Sequence, residues 1–174
     1  MAIVDKCPGE DNELKYYYYW IGLFVLAVDL ITKKIIESTL VVGDTIHVIG
    51  ERFFSLTSVR NRGAAFSSLQ EQRVLLLSIT LVVVALIVWY LHKNRHSGKV
   101  LLQIGLGMVL GGALGNFLDR ALYGEVTDFL QFTFGSYVFP SFNVADSGIC
   151  SGVALIVIHT LFFNEERQWR RSDA

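Results

Sequence analysis

Cysteine, charge and basic excess are all scarce in this chain. Only Cys7 and Cys150 occur among 174 residues, too few for a disulfide framework and without any metal-ligand spacing, so no metal or other cofactor is expected. Charged residues make up 18% and the formal net charge is −1, which excludes the basic field a nucleic-acid partner requires. No phosphate-binding glycine loop is present. What fills the space is apolar: 52% hydrophobic residues and a mean hydropathy of +0.45 are too high for an ordinary soluble domain. The composition reads as a membrane protein.

Residues 1–15 mix acids and lysines without apolar pattern and read as a flexible tail. From Tyr16 to Ile36 an aromatic-flanked apolar run is long enough to cross a bilayer, and it lacks the basic start and small-residue site of a cleaved signal peptide. Residues 37–68 then alternate in two short runs around a Gly-Glu-Arg turn, the pattern of a β-hairpin outside the membrane. Ser68 and Glu71 have the capping-box spacing and precede a second span ending near Leu91. A third span covers Val100 to about Leu118, with Gly107, Gly111 and Gly115 on one face for close helix approach. An aromatic loop, residues 129–142, follows Asp128. A fourth span covers Val144 to Phe163, and residues 164–174 form a basic tail. The expected fold is therefore an all-α membrane protein: four transmembrane helices with a small extramembrane β-segment between the first two, in one unit over 16–163.

Slightly more Lys and Arg lie in the two tails and the 92–99 loop than on the opposite face, which puts both termini in the cytoplasm. Independently of orientation, four antiparallel spans bring Asp29, Lys33, Asn61, Asn116, Arg120, Asn143 and Asp146 to one membrane face, with Asp128 beside them. Ionisable groups at membrane depth are costly and mark a site. Each has a plainer reading too. Asp146 stands three residues after Asn143, as a capping acid would; Asp29 and Lys33 have the spacing of an ion pair within a helix; Asn116 and Arg120 have that of an interhelical anchor. Asn61 and Gly63 suit a turn. Ser147 and Ser151 cannot form a dyad with His159, because their offsets put them roughly 18 and 12 Å from it along one helix.

Taken together, Asp29-Leu-Ile-Thr-Lys33, Asn61-Arg-Gly63-Ala-Ala-Phe66, Gly115-Asn116-Phe-Leu-Asp119-Arg120, Gly124-Glu-Val-Thr-Asp128-Phe129 and Phe142-Asn143-Val-Ala145-Asp146 resemble the bacterial lipoprotein signal peptidases, the type II signal peptidases. The resemblance runs from about Tyr16 to Phe163; Leu30 stands where the family often has Gln, away from the key acids. It implies an aspartic endopeptidase of the bacterial cytoplasmic membrane that cuts prolipoproteins before a diacylglyceryl-modified cysteine, with Asp128 and Asp146 as the catalytic pair at the outer face. Asp29, Lys33, Asn61, Gly63, Asn116, Arg120, Asn143 and Ala145 are then substrate-binding or supporting residues. The expected partners are prolipoproteins and membrane lipids, and the protein is expected to be a monomer. The capping spacing makes Asp146 the expected base and leaves Asp128, among apolar neighbours, as the protonated partner. The 37–72 segment and the aromatic loop 129–142 are expected to close over the cleavage site. The competing classes, a proton- or cation-conducting membrane protein and a lipid-modifying transferase, do not require the acids to act as a pair.

Overall fold

The structure is a computed structural model and describes residues 16–50, 53–63 and 72–163. Both tails, and the Ser68–Glu71 capping pair expected to open the second span, lie outside the described residues. Four long helices, α1 (Tyr17–Thr39), α2 (Arg73–Lys93), α3 (Val100–Leu122) and α4 (Val144–Phe162), make up most of the described residues. Among the described residues α2, α3 and α4 are long and apolar enough to cross a membrane. α1 has the same length but carries Asp29, Lys33, Lys34 and Glu37.

Helix α3 is the hub, packed against each of the other three helices. Glycine on two of its faces makes this possible, since a Cβ at Gly107 or Gly111 would collide with the carbonyl oxygens of Tyr18 and Gly22 on α1. A Cβ at Gly105 would come within 2.7 Å of the Gly152 carbonyl on α4, and one at Gly112 would strike Ala145. Backbones that touch gain dispersion and polar contacts, which is what holds helices together where lipid supplies no hydrophobic drive. α2 has a mean hydropathy of 2.8 and exposes nearly all of it, as a helix surrounded by lipid should; only Leu76, Ile87 and Leu91 are buried. At the end away from the sheet, Tyr18 donates to the Leu91 carbonyl at 3.3 Å, and Tyr17 donates to Gln103 Oε1 at 2.7 Å.

The β-structure differs from the expectation. Strands β1 (Thr45–Ile49) and β2 (Phe54–Asn61) form the anticipated hairpin. The stretch read as an aromatic loop is instead β3 (Val126–Phe134) and β4 (Tyr137–Val138), which complete a four-stranded antiparallel sheet in the order β1-β2-β3-β4. The sheet is thus built from two separate connections, not only the one between α1 and α2, and Asp128 lies in a strand, opposite Val59. Gly124, in the left-handed region at φ 80°, ends α3 and turns the chain directly into β3. Between Leu56 and Val59 the register slips, so β2 carries an extra residue beside Asp128; such a bulge bends a strand and re-aims neighbouring side chains. Phe53, Phe54, Phe132 and Phe134 cluster where β2 begins beside β3, Phe53 edge-on to Phe132 and Phe134, which stack on each other. Ile36, Leu40 and Phe129 bury together, packing the end of α1 under the sheet.

Candidate active site

Asp146 is placed by the start of α4. Asn143 is its N-cap: the Asn143 side chain accepts from the Asp146 amide at 3.0 Å, and the Asp146 carboxylate accepts from the Asn143 amide at 3.2 Å. This reciprocal box satisfies two orphan donors of the helix and sets a carboxyl group at its N-terminal end. Asp128 comes from β3, which is stitched to the chain just before α4 by the Phe129 and Leu130 amides, both donating to the Phe142 carbonyl. One strand and one helix start, joined by a short segment, therefore deliver the two acids to one place.

Three asparagines knit them together. Asn143 Nδ2 donates to Asp128 Oδ1 at 2.8 Å, Asn61 Nδ2 donates to Asp128 Oδ2 at 3.0 Å, and Asn116 Nδ2 donates to Asp146 Oδ1 at 2.8 Å. Asn116 Oδ1 in turn accepts from Asn143 at 3.3 Å and from the Lys33 ammonium at 3.1 Å. Lys33 is 3% exposed and pairs with Asp29 and Asp119, each at 2.7 Å. Asp29, fully buried, also accepts from the amide of Ala145 at 2.8 Å, beside Asp146. The helix-internal Asp29–Lys33 pair expected from spacing is present, and it also reaches two other helices. Gly63 donates its amide to Asn61 Oδ1 at 2.9 Å, an Asx turn, while its carbonyl accepts from Arg120 at 2.6 Å. Arg120 also approaches the Asn116 carbonyl at 3.4 Å, and its buried Nε has no hydrogen-bond partner among the described residues.

Asp128, Asp146, Asn61, Asn116 and Arg120 line a cavity of about 500 Å³ together with Val126, the Phe139–Phe142 segment, Ser147, Ile149 and Cys150. Burial pushes the Asp128 carboxyl up to about 6; the Asn61 hydrogen bond opposes this, the Asp146 charge adds to it, and Asn143 and Lys33 pull back. A carboxyl so placed keeps its proton to higher pH than an ordinary aspartate, as the acid partner of a pair must. No group of three or more His, Cys, Asp or Glu able to hold a metal ion occurs among the described residues.

All ten candidate residues from the sequence thus gather around this cavity or one or two contacts behind it. Missing from that set were Glu37, Arg60 and Thr127, which meet behind β3: the Arg60 guanidinium lies 2.7 Å from the Glu37 carboxylate, and the Thr127 hydroxyl donates to the same oxygen at 2.7 Å. Only Glu37 left a trace in the sequence, by continuing the four-residue spacing of Asp29 and Lys33.

A solved structure described as a bacterial membrane enzyme, determined by the in meso method at 2.3 Å resolution, superposes with a TM-score of 0.77 at 38% identity, over 83% of this chain and 87% of that one. A second of the same description, at 1.9 Å resolution, gives a TM-score of 0.76 at 37% identity over 85% and 94% of the two chains. A Bacillus pumilus (strain SAFR-032) protein named lipoprotein signal peptidase is 46% identical over 145 residues, 83% of this chain and 92% of its relative. With the family model for signal peptidase (SPase) II matching residues 21–162, nearly the whole described fold, the chain belongs to the signal peptidase II family.

Proposed function

We propose that this protein is the membrane peptidase that removes the signal peptide from diacylglyceryl-modified prolipoproteins, cutting before the lipidated cysteine, and that Asp128 and Asp146 form its catalytic pair. The observation that carries the reading is the convergence of two carboxylates, from separate elements, on a cavity whose remaining lining is mostly apolar. A lipid-bearing peptide needs both kinds of lining.

In the proposed reaction Asp146, ionised at the helix start, takes a proton from water as its oxygen attacks the scissile carbonyl carbon. Asp128 gives its proton to the carbonyl oxygen, forming a tetrahedral diol. The pair then returns a proton to the cysteine nitrogen as the C–N bond breaks, leaving a signal-peptide carboxylate and a free lipidated amino terminus. The raised Asp128 carboxyl supports this division of roles. Arg120, which lines the cavity beside both aspartates, suits a substrate carbonyl.

The peptidase unit is 16–163, with α1 as a fourth span whose charges Asp29 and Lys33 face inward while Trp20, Phe24 and Ile31 face outward. The sheet and the pair lie at the outer face, both termini in the cytoplasm, and one copy of the chain suffices because every group named comes from it. The signal helix enters sideways from the membrane, and the sheet with the 139–142 segment limits water around it. The test is cleavage of a diacylglyceryl-modified prolipoprotein peptide in detergent by the wild type, Asp128→Asn and Asp146→Asn. Cleavage by the wild type and a loss of about 10³-fold or more in each folded variant is expected. A wild type that does not cleave removes the peptidase reading; either variant keeping most of its activity removes the pair.

A further inference from the structure

Helix α1 contributes nothing to the cavity wall, yet three of its side chains point at the elements that do. Asp29, Lys33 and Glu37 are spaced by four residues and so share one face of the helix. Asp29 accepts from the amide of Ala145, the residue before Asp146. Glu37 accepts from the hydroxyl of Thr127, the residue before Asp128. The two acids of α1 thus each hold the immediate chain neighbour of one cavity aspartate, eight residues or roughly 12 Å apart along a rigid rod.

At the Glu37 end the contact is a closed triangle. Arg60 Nη1 donates to Glu37 Oε1 at 2.7 Å and to Thr127 Oγ1 at 2.5 Å, while the Thr127 hydroxyl donates to that same Glu37 oxygen at 2.7 Å. Arg60 and Thr127 are direct partners across β2 and β3, and Thr127 is 2% exposed. Alternation along a strand sends the Thr127 and Asp128 side chains to opposite faces, so pinning one aims the other. The aim needs pinning here, because the ladder is interrupted by the bulge beside Asp128. Lys34 and Glu125 complete the charges near the triangle, Glu125 lying 3.9 Å from Arg60 Nε and 3.2 Å from Arg62.

We propose that Glu37, with Arg60 and Thr127, is a positioning residue that fixes how β3 presents Asp128 to Asp146. The inference rests on the peptidase reading and gives α1 a catalytic purpose beyond spanning. Two acids that must share one proton and one water tolerate little displacement, and a misplacement on the order of 1 Å can cost 10²-fold in rate.

The full chain in detergent, cleaving the lipidated prolipoprotein peptide, provides the test. Glu37→Ala lowers kcat by about 10-fold with KM changed less than about 2-fold, whereas Glu37→Gln, which keeps an acceptor for Thr127, stays within about 3-fold of the wild type. Thr127→Val, which removes only the hydroxyl, falls in the same direction as Glu37→Ala, and the double variant is no worse than the single one, because both break one triangle. In Glu37→Ala the alkaline limb of the kcat profile moves to lower pH, since an Asp128 freed from its place feels Asp146 less and gives up its proton sooner. Should Glu37→Ala not fold, Thr127→Val and its pH profile carry the test alone. Unchanged kcat and profile in these variants, a loss confined to KM, or losses that multiply in the double variant would overturn the proposal. Because the wild type is measured alongside, its failure to cleave would instead strike the peptidase reading.

Discussion

In the proposed reaction Asp128 is the residue whose environment sets the chemistry. Its carboxyl, pushed up to about 6 by burial and then by Asp146, is restrained by two amide donors, Asn61 and Asn143, and by the Lys33 charge. These donors favour the ionised form, so removing one raises the carboxyl further. Asn61→Leu is therefore expected to move the alkaline limb of kcat/KM upward by about half to one pH unit, since in the proposed reaction loss of the Asp128 proton ends activity on that side. A limb that stays in place or moves down would show that Asn61 does not govern that proton. The opposite shift expected for Glu37→Ala separates a lost donor from a lost position. Both aspartates were legible in the sequence because acids in apolar company are costly, and because Asn143 and Asp146 have capping spacing. Thr127 and Arg60 were not, since an ordinary Thr and Arg acquire their meaning only from the register of β2 against β3.

At the scale of elements, α3 is the piece on which the site depends. Its face toward α1 has no side chains at Gly107 and Gly111, and at Gly115 a Cβ would come 2.5 Å from the Asp29 carboxylate, so the same stripe that joins the helices also seats a buried ion pair. Gly111→Ala puts a methyl group against the Gly22 carbonyl, a backbone atom that cannot rotate away. The substitution is expected to cost about 1–3 kcal/mol and to lower activity as Asp29 and Lys33 are pushed off α3 and α4. Ser78→Ala, on an exposed position of α2, is the control and is expected within about 0.5 kcal/mol of the wild type. Thermal unfolding in detergent beside peptide cleavage decides it, and an unaltered Gly111→Ala would mean the interface can open without harm. The helices were legible from apolar length, and the glycine stripe from its period. The second half of the sheet was not: β3 is covered at Val126 through Phe129 and loses the alternation that marks a half-exposed strand, so its aromatics read as a loop.

For the molecule as a whole, the question is how it sits in the bilayer, and α1 decides it. Its charges depress any average over the helix, yet Asp29 and Lys33 are buried while Trp20 is 70% and Phe24 69% exposed. Average hydropathy ignores direction; lipid responds only to what faces it. A helix of this kind spans when its polar face has partners, and here each partner lies on α3, α4 or the sheet. In the proposed four-span arrangement the sheet lies on one side of the membrane and the 94–99 loop on the other. In cells carrying the chain with Cys7 and Cys150 replaced, a cysteine at exposed Ser136, in the β3–β4 turn, is expected to react with an impermeant maleimide from outside. One at exposed Ser97 is expected to react only after permeabilisation. The reverse pattern would invert the orientation while leaving four spans intact. Labelling of both positions from outside would mean an odd number of crossings between them, α3 alone, fails to separate the loop from the sheet, and the inward-facing charges of α1 would then need an explanation other than a buried seam.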